Sequence, residues 1–165
     1  MVLETERMIV RDFCPEDADD LQEILGDDET MENCEPAYSL EKTRKFLEEF
    51  CIAKKGAVAA ALKDSKKVIG YILFKPWEEG VYEIGWFFNK KYWRQGYAYE
   101  ACSALMTYGF REMNIRKVVA ETIDTQKTVP FMEKLGMERE KIQRRQAKNA
   151  HGDWMDLYLY GKRGE

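Results

Sequence analysis

Apolar and polar positions in the middle of the chain follow two periods in succession, which predicts a strand, a turn and a helix. Residues 82 to 88 alternate between two sets with the period of a strand that has two different faces. The two sets are Tyr82, Ile84, Trp86 and Phe88, and Glu83, Gly85 and Phe87. After Trp93, Gly96 predicts a turn, and small or apolar residues then recur at helical spacing to about Met113. The backbone N–H groups from Gln95 to Ala98 would be unpaired there, which favours a bound phosphate or pyrophosphate.

The same patterns predict seven strands and four helices over the whole chain. Upstream elements are a strand Glu4–Phe13, a helix from Pro15 that Gly26 ends, a helix capped by Ser39, and a hairpin of strands Ala57–Leu62 and Val68–Phe74. Downstream elements are a strand Val118–Ile123, a short helix Thr128–Leu135, and two strands around the turn Asn149–Asp153, of which the last is Trp154–Tyr160. This order predicts an α+β fold with a mixed sheet. A doubly wound sheet fits poorly, because hairpins join the middle strands.

Composition and charge narrow the class of protein. The chain has 165 residues, 45% of them hydrophobic, and no low-complexity run, so we expect one domain over residues 1–165. The formal net charge of −4 makes a nucleic-acid-binding surface unexpected and weakly favours cationic or neutral partners. The N-terminal residues are partly acidic and contain no apolar run, so we expect a cytoplasmic protein with no secretory signal and no membrane anchor.

Cysteine and histidine content argues against a metal site. The four cysteines are widely spaced and form no Cys-x-x-Cys pair. His151 is the single histidine, in a turn-like run, so a multi-histidine site is excluded and a Ser-His-Asp triad is improbable. We therefore expect structural thiols, a surface histidine and no bound metal.

Several segments together resemble the GNAT superfamily of N-acetyltransferases over nearly the whole chain. The matching segments are Glu4-Thr-Glu-Arg-Met-Ile-Val-Arg-Asp-Phe13, Glu83-Ile-Gly-Trp86, Tyr92-Trp-Arg-Gln-Gly-Tyr-Ala98 and Met132-Glu-Lys-Leu-Gly-Met137. They look like the RimJ/RimL-type branch, which includes the ribosomal-protein N-alpha-acetyltransferases. The resemblance implies a sheet splayed between the fourth and fifth predicted strands, acetyl-CoA as co-substrate and a primary amine as acceptor, either a protein N-terminus or a small amine, cationic ones included. It also implies a possible homodimer.

The resemblance assigns a phosphate loop and a pantetheine path. The family loop, Gln/Arg-x-x-Gly-x-Gly/Ala, corresponds here to Trp93-Arg-Gln-Gly-Tyr-Ala98, and Trp93 departs from its first position. The implied cofactor-binding residues are Trp86, Phe87, Phe88, Arg94, Gln95, Gly96, Tyr97, Ala98, Thr125 and Phe131. Gly85 inside a strand suggests either a bulge or the close approach of a ligand. Phe87 and Phe88 are also compatible with a plain role in the core.

Acetyl transfer to an amine requires a base, a polarised carbonyl and a proton for the departing thiolate. Direct attack needs no protein nucleophile when both substrates are held together. Glu83 matches a glutamate that relatives use as the base, although an ordinary solvent-facing carboxylate is an equal alternative, and Asp124 and Asp156 compete with it.

The proton donor is less clear from the resemblance. The tyrosine that many members use corresponds to Met132, and the Asn and Ser of the branch correspond to Thr125 and Thr128. Thr128 keeps a hydroxyl, but Pro130 in a first helical turn favours Thr128 as an N-cap over a proton donor.

Acidic residues crowd the segment between the first two predicted helices, where the superfamily walls its acceptor pocket. They are Asp27, Asp28, Glu29, Glu32 and Glu35. A solvated acidic loop is the simpler interpretation, and a wall for a cationic acceptor is the other. Residues 77 to 79 and the hairpin from Lys148 to Trp154 are further candidates for the wall.

Two other functions compete with an N-acetyltransferase. One is a coenzyme A-binding regulatory module without transferase activity, suggested by the altered Tyr, Asn and Ser positions. The other is an enzyme that binds nucleotide phosphates with the same glycine turn, which is weak because neither Gly-x-x-x-x-Gly-Lys-Ser/Thr nor Gly-x-Gly-x-x-Gly is present.

Overall fold

Eight strands form one sheet in the computed structural model of the protein, which describes residues 1–164. The strands are β1 (Val2–Glu4), β2 (Met8–Asp12), β3 (Ala57–Leu62), β4 (Val68–Glu78), β5 (Val81–Phe88), β6 (Lys117–Thr122), β7 (Glu138–Lys148) and β8 (Trp154–Arg163). Their order across the sheet is β1-β2-β3-β4-β5-β6-β8-β7. All neighbours are antiparallel except β5 and β6, which are parallel. The predicted α+β fold with a mixed, mostly antiparallel sheet is confirmed.

Helices cover the sheet on both faces. They are α1 (Ala18–Leu25), α2 (Asp28–Met31), α3 (Leu40–Phe46), α4 (Tyr97–Glu112) and α5 (Thr128–Lys134), and a π-helical segment, Leu47–Ile52, continues α3. One buried cluster joins the apolar faces of α1 and α3 to Tyr71 of β4, and the other joins α4 and α5 to Ile84 and Phe88 of β5. The period of two in β5 is confirmed, because Phe87 packs into the first of these clusters and Trp86 packs against the second.

Local hydrogen bonds create two elements beyond the seven strands and four helices predicted. The predicted strand Glu4–Phe13 is shorter than expected and corresponds to β2, Met8–Asp12. The chain turns at Thr5, whose N–H donates to the Met8 carbonyl at 2.9 Å, and the residues before the turn form the additional strand β1. In the acidic segment, the carboxylate of Asp27 accepts the Thr30 N–H at 2.9 Å and begins the short helix α2. No helix within residues 1–164 is long and apolar enough to cross a membrane.

The predicted splay lies between β5 and β6. These strands pair only from Val81 opposite Lys117 to Glu83 opposite Val119. Beyond Glu83, β5 continues to pair with β4 as far as Phe88, opposite Gly70. The edge of β5 that faces β6 therefore has no ladder partner from residue 84 to residue 88 among the described strands, and an opening passes between the two strands.

Candidate active site

A cavity of about 1100 Å³ occupies the opening between β5 and β6. On the face of the sheet covered by α4 and α5 it is lined by residues that include Trp86, Tyr97, Ala98, Thr128 and Phe131. On the face covered by α1 and α3 it is lined by residues that include Tyr38, Phe46, Phe50, Tyr71 and Phe87. The splay therefore connects two compartments on opposite faces of one sheet, and Glu83 lines the cavity at the point where the ladder ends.

The glycine turn before α4 has the predicted geometry. Gly96 is the N-cap residue with a φ of +83°, a left-handed conformation that glycine adopts without steric cost. The first helical hydrogen bond runs from the Glu100 N–H to the Gly96 carbonyl at 3.0 Å, so the N–H groups before residue 100 have no partner within the helix. A Cβ at Gly96 would meet only the Arg7 guanidinium, at 3.4 Å, within the described part of the chain. Backbone conformation, rather than crowding by protein atoms, requires glycine at this position.

Trp93, which departs from the family loop, joins the loop to the end of β5. Its indole N–H donates to the Phe88 carbonyl at 2.7 Å, and its ring lines the cavity. The bond satisfies a carbonyl group just where the strand ends. Trp93 therefore has a structural role that its mismatch to the motif did not reveal.

Sequence analysis did not identify Arg7, which contacts the phosphate loop but does not line the cavity. Its guanidinium donates to Glu100 Oε1 at 2.8 Å and to the Gln95 carbonyl at 3.0 Å, and it lies over the Tyr97 ring at 3.9 Å from the centroid. The turn between β1 and β2 is thereby tied to the first turn of α4. The segment containing Arg7 contributed to the family resemblance, but a contact across 93 positions leaves no periodic signal in a sequence.

The cavity gathers most of the residues assigned to the cofactor. It is lined by Trp86, Phe87, Phe88, Arg94, Gly96, Tyr97, Ala98 and Phe131, but not by Gln95 or Thr125. The Gln95 side chain instead donates to the Lys91 carbonyl at 3.3 Å, and Thr125 is exposed to solvent. The cofactor assignments of Gln95 and Thr125 therefore stay predictions without support from the cavity lining.

Gly85 faces the cavity from an unbroken part of β5. The register with β4 runs without interruption from Phe88 back to Tyr82, so the bulge that Gly85 suggested is not there. A Cβ at Gly85 would lie 3.4 Å and 3.5 Å from atoms of Leu73, which is ordinary van der Waals contact. The protein alone therefore leaves room for a side chain at this position.

Three charged residues lie side by side on one face of β4, β5 and β6. Lys75 is opposite Glu83 in the ladder, with 3.6 Å between Nζ and Oε1, and Glu121 follows two residues after the ladder partner of Glu83. All three line the cavity. Burial raises the pKa of Glu83 and Lys75 opposes that shift, while burial and the charge of Glu83 raise the pKa of Glu121. A raised pKa suits a carboxylate that accepts a proton near neutral pH.

The competing carboxylates are engaged elsewhere. Asp156 is outside the cavity lining and binds Arg144 at 2.7 Å and the Arg145 N–H at 3.0 Å, which lowers its pKa. Asp124 lines the cavity, but its Oδ1 accepts two backbone N–H groups, those of Gln126 and Lys127. Neither carboxylate has the partly buried, singly paired environment of Glu83.

Thr128 is the first residue of α5 and not its cap. The N-cap is Lys127, and the N-cap prediction is wrong because the Phe131 N–H, which a cap at Thr128 would accept, donates to the Lys127 carbonyl at 3.4 Å. The Thr128 hydroxyl donates to Asp124 Oδ2 at 3.2 Å and lines the cavity. Met132 is buried, and its thioether has no proton to donate.

The acidic segment fits each of the two interpretations in part, since some of its carboxylates line the cavity and others do not. Glu29, Glu32 and Glu35 line the cavity, whereas Asp27 caps α2 and Asp28 faces solvent. Part of the acidic run therefore forms the wall and part does not.

The two glutamates at the ends of this wall are already paired. Glu29 lies 3.5 Å from Lys90 Nζ, and Glu35 lies 3.1 Å from Lys42 Nζ and accepts the Tyr38 hydroxyl at 2.9 Å. The other two candidate segments, residues 77 to 79 and the hairpin from residue 148 to residue 154, do not line the cavity. The hairpin does contact the acidic segment, through the Ala150 N–H and the Glu32 carbonyl at 3.0 Å.

Metal and thiol chemistry find little support in the described residues. Within residues 1–164, no group of three or more His, Cys, Asp or Glu side chains is placed to hold a metal ion. The four cysteines are unbridged, and burial raises the pKa of Cys51 to about 12, so that thiol is protonated at neutral pH. His151 is exposed in the turn between β7 and β8.

Comparison with known proteins agrees with this geometry. The family model described as the acetyltransferase (GNAT) domain matches residues 7–138. The chain belongs to the GNAT acetyltransferase family. Among curated proteins, this GNAT acetyltransferase is 32% identical over 166 residues to the uncharacterized N-acetyltransferase YnaD of Bacillus subtilis, covering 97% of this chain and 95% of YnaD. It is 27% identical over 168 residues to the uncharacterized N-acetyltransferase p20 of Bacillus licheniformis, covering 96% of this chain and 93% of p20.

Solved structures of the family have the same fold. A GNAT-family acetyltransferase from Bacillus anthracis is 32% identical to this GNAT acetyltransferase, with a TM-score of 0.88 and 99% of each chain covered. A RimL ribosomal L7/L12 alpha-N-protein acetyltransferase, solved in complex with coenzyme A, is 18% identical, with a TM-score of 0.84 and 99% and 98% of the two chains covered. The structural neighbours thus include the RimJ/RimL type that the sequence resembles. GNAT acetyltransferases use acetyl-CoA and act on amine-bearing acceptors.

Proposed function

We propose that this GNAT acetyltransferase transfers the acetyl group of acetyl-CoA to a primary amine by direct attack in a ternary complex. The observation that carries the proposal is the single cavity that passes through the splay. It reaches the free N–H groups at the start of α4 on one face of the sheet and the carboxylate of Glu83 on the other. Such a passage can hold two substrates from opposite sides with their reacting groups close together.

The residues present fit coenzyme A. The start of the 16-residue helix α4, opened by Gly96, suits a pyrophosphate, and Arg94 adds a positive charge beside it. The unpaired edge of β5 at Trp86, Phe87 and Phe88 suits a pantetheine arm, because that arm carries amide groups which can replace the missing ladder bonds. Phe131 packs against Trp86 at 5.0 Å between ring centroids and gives this side of the passage an apolar wall.

Glu83 is the proposed base. An alkylamine arrives protonated at neutral pH, and Glu83 accepts one proton from the ammonium group, so that the nitrogen lone pair becomes free. Acetyl-CoA, when bound, supplies the thioester whose C–S bond breaks as the new C–N bond forms. The leaving sulfur takes up a proton. The overall reaction converts an ammonium ion and a thioester to an amide, a thiol and one released proton. Thr128 is the proposed donor to the sulfur: its hydroxyl proton, which is donated to Asp124 in the free protein, turns to the sulfur and is replaced by the second proton that the nitrogen loses.

Acetyl-CoA turnover with a panel of amines tests the proposal. Thiol release and the mass of the product are measured for wild type, for Glu83→Gln and for the matched control Glu78→Gln, which alters an exposed carboxylate of β4 outside the cavity. Glu83→Gln is expected to lower kcat/KM by about 10²-fold or more and to leave the coenzyme A affinity unchanged. Glu78→Gln is expected to behave as wild type.

The alternative functions predict different results. Coenzyme A binding without thiol release for every acceptor would favour the regulatory module. Thermal stabilisation by ATP or NAD but not by coenzyme A would favour a nucleotide-binding enzyme. Wild-type kinetics in Glu83→Gln would remove Glu83 as the base and leave the transfer itself standing.

A further inference from the structure

We infer that the acceptor is a small monoamine whose ammonium group is joined by a short linker to an aromatic ring. The inference rests on the proposed function, because it describes the second substrate of the same cavity. Three observations support it. They are an aromatic compartment under α1 and α3, a row of charged residues on β4, β5 and β6 that has one uncompensated negative charge, and a position without a side chain between the two.

The compartment under α1 and α3 is walled by aromatic rings. The rings of Phe46 and Phe50 are stacked with centroids 5.2 Å apart, those of Tyr71 and Phe87 are stacked at 5.9 Å, and Tyr38 meets Phe46 edge-on at 5.6 Å. All five residues line the cavity. Aromatic rings prefer stacked and edge-to-face neighbours at these separations, so a flat ring is the ligand group that this wall buries best.

The charged row offers one net negative charge. It contains the carboxylates of Glu83 and Glu121 and the ammonium of Lys75, which lies 3.6 Å from Glu83. No cation of residues 1–164 lies within 4 Å of the Glu121 carboxylate, whereas the outer carboxylates of Glu29 and Glu35 already have lysine partners. A half-buried carboxylate without a partner is costly, and a single ammonium group would neutralise it.

The strand register places the two features at a suitable separation. On one face of β4 and β5, the aromatic pair Tyr71 and Phe87 is followed by the pair Leu73 and Gly85 and then by the pair Lys75 and Glu83. The middle pair has no side chain on β5, so space is left between the rings and the carboxylate. Glu121, two residues after the ladder partner of Glu83 on the parallel strand β6, is level with Gly85 in this register. Two residues of strand span about 7 Å, so the ring pair and the unpaired carboxylate are offset by about the length of a ring with a linker of two or three carbons.

Other amines match this compartment less well. A polyamine carries two or more positive charges, whereas the half-buried row has one uncompensated negative charge and Glu32, the carboxylate of the acidic wall without a cation partner among residues 1–164, is exposed to solvent. An aminoglycoside would bring hydroxyl groups against aromatic walls that offer few hydrogen-bond partners, which leaves those groups unsatisfied. A peptide N-terminus places a backbone amide next to the amine, where the apolar middle pair offers no side-chain partner.

Calorimetry and kinetics with matched probes test the inference. 2-Phenylethylamine is compared with propylamine, which lacks the ring, and with 2-phenylethanol, which lacks the charge, each in the presence of coenzyme A. Removal of the ring is expected to weaken binding at least about 30-fold, because a buried ring contributes more than any other group of the probe. Removal of the charge is expected to weaken binding at least about tenfold.

Two variants locate the effect in the compartment. Glu121→Gln is expected to raise the KM for 2-phenylethylamine about tenfold while the KM for acetyl-CoA stays unchanged, with Glu78→Gln as the control. Phe46→Leu keeps an apolar side chain of somewhat smaller volume and removes a ring face, and it is expected to reduce the preference for 2-phenylethylamine over propylamine. Trp77→Leu, at an exposed ring outside the cavity, is its control.

The outcomes separate this inference from the proposed function. If 2-phenylethylamine binds but no amine is acetylated, the ligand class stands and the proposed transfer is wrong. If propylamine, spermidine, an aminoglycoside or an N-terminal peptide is acetylated with a higher kcat/KM than 2-phenylethylamine, the transfer stands and the inference is overturned. Absence of 2-phenylethylamine binding also overturns it, whatever the turnover.

Discussion

Substitution of Gly85 is expected to make the protein more stable and less active at the same time. A glycine inside a strand costs about 0.5–1 kcal/mol relative to alanine, because its unfolded backbone has more freedom to lose. The new Cβ would meet Leu73 at 3.4 Å and 3.5 Å, which is ordinary contact. Gly85→Ala should therefore raise the free energy of unfolding by about 0.5–1 kcal/mol, or the Tm by roughly 1–4 °C in a protein of this size.

The same side chain would project into the cavity beside the unpaired edge of β5. Gly85→Val adds an isopropyl group at the place where the acetyl group and the amine must meet, and a displacement of about 1 Å there can cost about 10²-fold in rate. We expect kcat/KM to fall by about that factor in Gly85→Val and by less in Gly85→Ala. The free energy of unfolding should not fall in Gly85→Ala.

Gly70 provides a matched control in the neighbouring strand. A Cβ at Gly70 would lie 2.5 Å from two carbons of the Phe88 ring, which is too close without a shift of the ring. Gly70→Ala should therefore lower the free energy of unfolding by about 1–3 kcal/mol, the usual cost of overpacking. Two glycine-to-alanine changes on adjacent strands are thus expected to have opposite signs.

Thermal unfolding without ligand, coenzyme A calorimetry and steady-state thiol release measure these effects. A lower Tm for Gly85→Ala would contradict the description of residue 85 as regular strand with free space beside it. Wild-type kcat/KM and coenzyme A affinity in Gly85→Val would show that no substrate passes β5 at this position, and the proposed path through the splay would then be wrong.

Three further predictions concern single charged residues. Because burial raises the pKa of Glu83, kcat/KM should fall as the pH drops through a value above the usual carboxyl range, and Glu83→Gln should abolish that acid limb in a pH–rate profile. Arg7→Ala should lower stability by about 1 kcal/mol and weaken coenzyme A binding about fivefold in calorimetry, since Arg7 holds the phosphate loop. Burial disfavours the charged form of Asp17, but Arg11 and the Cys14 N–H outweigh it and lower its pKa, so its stabilisation is present above about pH 4 and is lost as the pH falls through the folded-state pKa. Asp17→Asn should cost about 1.5–3 kcal/mol in denaturant unfolding at pH 7, and the difference should shrink in acid.

Local features of the chain were predictable because neighbouring residues determine them. The period of two in β5 sorted Trp86 and Phe87 onto opposite faces, and both clusters of the core confirm that division. Gly96 was identified as the turn because glycine adopts a positive φ without steric cost. The order of strands and helices then predicted the α+β fold, and the family resemblance predicted the splay.

One local prediction was wrong because a helix begins one residue earlier than the residue types indicated. Thr128 had the residue type of an N-cap, but α5 already includes it, and the Phe131 N–H donates to the Lys127 carbonyl. Gly85 was compatible with either a bulge or the close approach of a ligand, and the ladder with β4 continues through it, which removes the bulge. Residue type indicates which groups are able to form a hydrogen bond, and the backbone path decides which of them does.

The sequence by itself determined all but two of the strands and α-helices, the faces of β5, the glycine turn and the family. The tertiary structure decided which side chains meet in the cavity. Arg7 reaches Glu100, Glu121 comes beside Glu83, and Trp93 closes the end of β5, because the divergence of β6 from β5 and the packing of α4 bring distant segments together. Periodicity records only which face a residue occupies, whereas these contacts depend on which strands and helices become neighbours in space.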